Sequence, residues 1–391
     1  MTIASFLLFF FLNLLFFLYI CTKNIQYMKV LFVTDAFAVW GGMERVLADK
    51  MNYLAERYDN KIILLTINQG NHSIPFPLHS QIKHVNLDIN MHQQYAYHGI
   101  RRLQKRWQLK HLLKNKLNSF LQQINVDIIS CVKLDFVGTL NQVRGSIPLV
   151  VESHTMCKAE KIEEAGWLRR LNVWNFKQHV RKANAVVALT KDDANDWRKY
   201  NRQVWVVPNV VHLNNSNNLS SHNEKRVIFV GRNSKQKDLD SLLRIWSIVY
   251  SRHSDWTLDI YTDCEIDAPG VSVFKPVANI MEPYCKSSMI VLTSLFEPFG
   301  LVMPEAMSCG LPVVAFDCPY GPADIITNGV DGFLIKNRDV DEFANRVCQL
   351  MEDNDLRIRM GQAAVKASQR YRADAIMPKW KDLFERLCQK E

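Results

Sequence analysis

The chain has 391 residues, 48% of them apolar and 22% charged, with a formal net charge of +9. That is an ordinary globular composition, long enough for two or three domains. The nine cysteines are odd in number and scattered, with no Cys-x-x-Cys pair and no histidine at zinc-finger spacing. They read as reduced thiols facing the cytosol rather than as a disulfide framework. The positive balance favours an anionic partner such as a nucleotide or a membrane surface, and with no recognised binding motif nucleic acid is the weakest option.

Ile3 to Ile20 is almost wholly Phe, Leu and Ile, just long enough to cross a bilayer as a helix. No Lys or Arg precedes it, while Lys23 and Lys29 follow, so a spanning helix would leave the bulk of the chain in the cytoplasm. It lacks the positive start and the small-residue cleavage site of a signal peptide. Met28 opens Met-Lys-Val-Leu-Phe-Val-Thr-Asp, which looks like the start of a first strand. Residues 1–27 are therefore either a membrane anchor or a misassigned start.

From Met28 onward, strand and helix patterns alternate, which implies a parallel sheet covered on both faces. Strand Lys29–Thr34 leads to Gly41-Gly42-Met43-Glu44 and a helix ending near Arg57. Glycines there let a ligand approach the backbone. Ile100 to Ile124 predicts a basic amphipathic helix. Ile100, Leu103, Trp107, Leu113, Leu117, Phe120 and Ile124 recur at helical spacing among seven Lys and Arg, with no acidic residue between Asp88 and Asp127. Such a helix lies on anionic lipid, packs its apolar side on its own sheet, or does both, with the apolar side in the core and the basic rim at the headgroups. The basic-aromatic run from Trp167 to Lys182 points the same way. Strand Pro148–Glu152 ends in Glu152-Ser153-His154, where open α/β sheets place their ligands. A lone histidine is more often structural, so position alone does not settle its role.

His212 to Lys225, rich in Asn and Ser, reads as a linker. Strand Arg226–Val230 then opens a second α/β unit and is followed by Gly231-Arg232-Asn233-Ser234-Lys235-Gln236-Lys237-Asp238. Arg232 and Lys237 just past a strand end suit a diphosphate. After strand Met289–Thr293 comes Ser-Leu-Phe-Glu-Pro-Phe-Gly-Leu-Val-Met-Pro-Glu-Ala-Met-Ser-Cys-Gly, residues 294–310. Pro298 keeps Glu297 on the loop, and Pro304 fits only the first turn of a helix expected from about Gly300 to Gly310. Amides from Gly300 to Met303 would face an anion, and the carboxylate of Glu305 would accept from sugar hydroxyls beside it. A ligand with both features is a nucleotide sugar.

Phe-Glu-Pro-Phe-Gly-Leu through Pro-Glu-Ala-Met-Ser-Cys-Gly-Leu-Pro-Val-Val-Ala resembles the signature of glycosyltransferase family 4, retaining enzymes of the GT-B fold. Gly41-Gly42-x-Glu44, His154, Arg232 with Lys237, and Gly321-Pro322-x-Asp324-Ile325-Ile326 resemble further family motifs in family order. The chain departs at Val210, where the family has a glycine after Pro-Asn, and at Asp238, where a glycine follows the lysine. The resemblance implies an α/β fold of two Rossmann-like parallel-sheet domains facing a central cleft. An acceptor-side domain would span 28–210 and a donor domain 211–368, with a last helix in 369–391 crossing back through Trp380, Leu383, Phe384 and Leu387. It implies a hexosyltransferase with His154, Glu297, Arg232 and Lys237 as catalytic residues. Donor contacts would add Phe299, Gly300, Leu301, Val302 and Glu305, and Gly41, Gly42 and Glu44 would line the acceptor side. A metal is not implied, since the cations and amides take its role. A uridine nucleotide is favoured by family habit. The partners expected are a nucleotide sugar, a lipid-linked glycan in envelope polysaccharide synthesis and an anionic membrane, with the protein anchored or peripheral on the cytoplasmic face of the plasma membrane. A sugar-nucleotide epimerase of the same fold, a two-lobed sugar-binding protein and a glycosidase are the rival readings.

Overall fold

A computed structural model describes residues 27–158, 167–216 and 218–389, so the apolar stretch 1–26 lies outside the described residues. Runs of three to six residues, mostly apolar except in the edge strand Lys83–Asn86, make the strands. The first lobe holds β1 (Lys29–Thr34), α1 (Gly42–Tyr58), β2 (Lys61–Thr66), β3 (Lys83–Asn86), α2 (Gly99–Gln123), β4 (Ile128–Cys131), α3 (Leu134–Val143), β5 (Leu149–Ser153), α4 (Trp167–Val180), β6 (Ala185–Ala188), α5 (Lys191–Trp197) and β7 (Val204–Val206). The second holds β8 (Arg226–Val230), α6 (Leu239–Arg252), β9 (Thr257–Tyr261), β10 (Val271–Phe274), β11 (Met289–Leu292), α7 (Val302–Ser308), β12 (Val313–Phe316), β13 (Gly332–Ile335), α8 (Val340–Glu352) and α9 (Asn354–Ser368). Helix α10 (Ala373–Cys388) closes the chain.

The first sheet runs β3-β2-β1-β4-β5-β6-β7 and the second β10-β9-β8-β11-β12-β13. Pairing is parallel throughout, for instance Val30 beside Ile128 and Met289 beside Val227. Parallel sheets are covered on both faces, which is why β4, β5, β11 and β12 are buried along their whole length. Strand order reverses between β1 and β4 and again between β8 and β11, and each reversal opens a crevice at the carboxyl ends of its strands. This is the two-lobed GT-B architecture.

Helix α10 returns to the first lobe as expected. Ile376, Met377, Trp380, Leu383 and Phe384 are buried in one cluster with Val30, Phe32, Leu47 and Met51. Each such side chain contributes roughly 1.5–3 kcal/mol by leaving water.

Two expectations need correction. The central helix begins at Val302, not near Gly300, because Gly300 has φ +90°; Gly310, at φ +88°, closes it as expected. On α2 the core stripe is Leu109, Leu113, Leu117 and Leu121, whereas Ile100, Leu103 and Trp107 stay exposed. The Asn- and Ser-rich linker is held by packing: Leu213 joins the core of the second lobe, and Ser220 and His222 are buried. Among the described residues no helix is long and apolar enough to cross a membrane.

Candidate active site

The loops at both sheet reversals carry the candidate residues. In the second lobe the loop after β8 is tied to the loop after β11. Leu295 N donates to Gln236 O at 2.7 Å, Gln236 Nε2 donates to Phe296 O at 3.0 Å, and Thr293 Oγ1 donates to Lys237 O at 2.9 Å. These bonds bring the Lys237 ammonium to 2.6 Å from the Glu297 carboxylate, which also accepts from Ser294 Oγ at 3.2 Å. Glu297 is buried, and its backbone is fixed by Glu297 N donating to Pro319 O (3.2 Å) and Gly321 N donating to Glu297 O (2.7 Å). A Cβ on Gly321 would collide with the Phe299 carbonyl, so glycine is required there.

Asp238 stands where the family has glycine, and its geometry explains both residues. Its φ is +49°, a left-handed conformation that glycine adopts without strain and Asp tolerates. The carboxylate caps α6, accepting from Ser241 N at 3.3 Å and Ser241 Oγ at 2.7 Å, and pairs with Arg338. Its negative charge is thereby directed into the helix cap and Arg338. The other departure, Val210, packs against the core of the first lobe.

Arg232 and Lys237 share one loop but not one environment. Lys237 is half-buried against Glu297, while Arg232 is exposed where the loop begins. Next to it, Asn233 N donates to Asp263 Oδ1 at 2.7 Å, which lowers the Asp263 pKa below the ordinary carboxylate value.

The first lobe faces α7 with its glycine loop. A Cβ on Gly42 would stand 3.0 Å from Leu301 Cδ1, and one on Gly41 would collide with the Glu44 carboxylate. Three residues on, Arg45 forms an ion pair with Glu305, which is 3% exposed. Burial raises the Glu305 pKa above the ordinary carboxylate value, and Arg45 opposes that rise. Of the amides expected to face an anion, that of Met303 is taken by Gly300 O at 3.1 Å.

His154 lies at the end of β5, its Nε2 2.9 Å from Glu152 Oε2. The Glu152 carboxylate also accepts from Ser130 Oγ at 2.6 Å and pairs with Lys50, whose ammonium lies 3.9 Å from the Trp380 ring. Burial would raise the Glu152 pKa, but Lys50 and His154 together hold it down to about 2. Arg45, Lys50, Glu152 and Asp196, whose Oδ2 accepts from Tyr320 across the cleft at 3.1 Å, were not legible as site residues. The pairs Arg45–Glu305, Lys50–Glu152 and Asp196–Tyr320 each join residues more than 100 positions apart. Among the described residues no group of three or more His, Cys, Asp or Glu is placed to hold a metal ion.

Two family models match the chain, one described as Glycosyltransferase Family 4 over residues 40–215 and one as Glycosyl transferases group 1 over residues 224–353. Together they span both lobes and every candidate residue. The chain is a glycosyltransferase with a family 4 domain. The amylovoran biosynthesis glycosyltransferase AmsD of Erwinia amylovora is 27% identical over 91% of this transferase and 99% of its own length. A poly(ribitol-phosphate) alpha-N-acetylglucosaminyltransferase of Staphylococcus aureus is 26% identical over 53% of this chain and 45% of its own. Among solved structures, a mutant of S. aureus TarM in complex with Fondaparinux, alpha-GlcNAc-glycerol and UDP superposes with a TM-score of 0.73. It is 16% identical, with 91% of this chain and 99% of that one covered.

Proposed function

We propose that this transferase is retaining and moves a hexose-type sugar from a uridine diphosphate sugar to a lipid-linked glycan in bacterial envelope polysaccharide synthesis. The observation that carries this reading is the Lys237–Glu297 pair, seated where the second sheet reverses and within one loop of Gly300. A diphosphate entering there would draw the ammonium from Glu297. Lys237, Arg232 and the amides of Leu301 and Val302 then stabilise the charge that grows on the leaving diphosphate. Glu297, released from Lys237, faces the developing oxocarbenium. Glu305 accepts from the ribose hydroxyls, sharing its carboxylate with Arg45. His154 contacts the donor sugar from the first lobe, and Gly41, Gly42 and Glu44 line the acceptor side. The anomeric carbon–oxygen bond breaks with its electron pair on the diphosphate. The acceptor hydroxyl attacks from the same face and its proton passes to the leaving phosphate oxygen, so configuration is kept. No metal enters this scheme.

The uridine nucleotide is supported by the UDP in the TarM complex, and polysaccharide synthesis by the name of AmsD. The basic α2 supports contact with an anionic membrane on its cytoplasmic side. The test is to incubate the protein with uridine diphosphate sugars, with and without lipid-linked glycan, and measure released UDP and the product's anomeric configuration. Acceptor-dependent release with retention is expected. Turnover to an epimer without acceptor, or tight sugar binding without turnover, would overturn the reading.

A further inference from the structure

The first lobe carries a second cavity, of about 290 Å³, between α2, α3 and α4. None of its lining residues is among the candidate residues of the cleft. Lys110, His111 and Lys114 line it from α2, His179 from α4 and Asp135 from the start of α3. Gly138 makes its room, since a Cβ there would stand 2.9 Å from the His179 ring. Trp107 stacks on His111 with ring centroids 5.7 Å apart. Among the described residues Asp135 is the only carboxylate in the lining, set against the two lysines, so the formal charge of the lining is positive.

The cavity's surroundings decide what would occupy it. The first turns of α2 bury nothing fully, although Ile100, Leu103 and Trp107 lie along one side of the helix; Trp107 is 69% exposed. On α4, Leu171 and Trp174 are exposed as well. No acidic residue lies between Asp88 and Asp127. A soluble anion would use the two lysines and leave these apolar side chains in water. A lipid uses both, with its phosphate in the basic hollow and its chains beside tryptophans suited to an interface.

We infer that the α2–α3–α4 cavity seats the phosphate of an anionic lipid headgroup, with Ile100, Leu103, Trp107, Leu171 and Trp174 entering the interfacial layer around it. This rests on the membrane contact proposed above and gives that contact a defined site. The test is calorimetric titration of the full chain with dihexanoyl phosphatidate below its micellar concentration, which avoids any contribution from bilayer anchoring. Dihexanoyl phosphatidylcholine and inorganic phosphate serve as separate arms. Phosphatidate is expected to bind most tightly. The Lys110→Gln/Lys114→Gln variant should weaken it about thirtyfold, and Arg101→Gln/Arg102→Gln, on the same helix but outside the lining, no more than about threefold. Phosphate binding as tightly as phosphatidate would overturn the lipid assignment. Equal losses in the two double variants, or no loss in either, would overturn the site. Full-chain binding to anionic vesicles that persists after such a result would leave the membrane reading standing without this site.

Discussion

Glu305 has two demands on one carboxylate: Arg45 from the opposite lobe and, in the proposed complex, ribose hydroxyls. Burial raises its pKa, so the accepting, ionised form is lost earlier on acidification than for an exposed glutamate. Donor KM should therefore rise as pH falls. Arg45→Gln removes the group opposing that rise, so its KM should climb at a higher pH than wild type, as a pH series of initial rates would show. Lys50 and Glu152 make a different kind of pair, fully buried and hydrogen-bonded to His154. Lys50→Met should destabilise the protein by about 3–5 kcal/mol by leaving a buried charge, and adding Glu152→Gln should restore most of it. In Glu152→Gln alone, His154 loses its carboxylate partner, and kcat should fall while donor KM changes little. Because the folded Glu152 pKa lies near 2, below the ordinary range, its contribution to stability is present above that ordinary range and is lost as pH falls towards 2. An acid series of Tm on wild type and the double variant would expose it.

Elements were far more legible than pairs. Lys29–Thr34 and Arg226–Val230 are strands at the bounds their apolar runs indicate, because a buried parallel strand writes its burial into consecutive residues. Pro304 and Gly310 bracket the central helix for local steric reasons that a sequence displays. The left-handed Gly300 and the true core stripe of α2 were not legible, since each depends on what lies opposite. The same holds for Arg45 with Glu305, 260 positions apart, and for Lys50 with Glu152, 102 apart. Asp238 shows a local departure from the family pattern with a distant explanation, the ion pair with Arg338. Asp238→Ala keeps the left-handed strain while losing the cap and the ion pair. It should cost about 1–3 kcal/mol, read as a lower Tm.

Across the whole molecule, and beside the packing of α10 on the first lobe, polar contacts between the lobes among the described residues include Arg45 with Glu305, Tyr320 with Asp196, His212 with Asp49 at 2.7 Å, and Lys191 N donating to Asp324 at 2.5 Å. Glu305 is shared between the Arg45 ion pair and the proposed donor site, so donor binding and lobe closure are coupled through it. Arg45→Gln/Tyr320→Phe should enlarge the radius of gyration in small-angle scattering, with UDP restoring part of the compaction. An unchanged radius would mean the lobes are held elsewhere. The most direct test of the account is calorimetric titration of UDP into the full-length protein and its Lys237→Ala and Glu305→Gln variants. Each variant is predicted to bind about ten- to a hundredfold more weakly than wild type. Wild-type affinity in both would contradict the placement of the nucleotide in the second lobe.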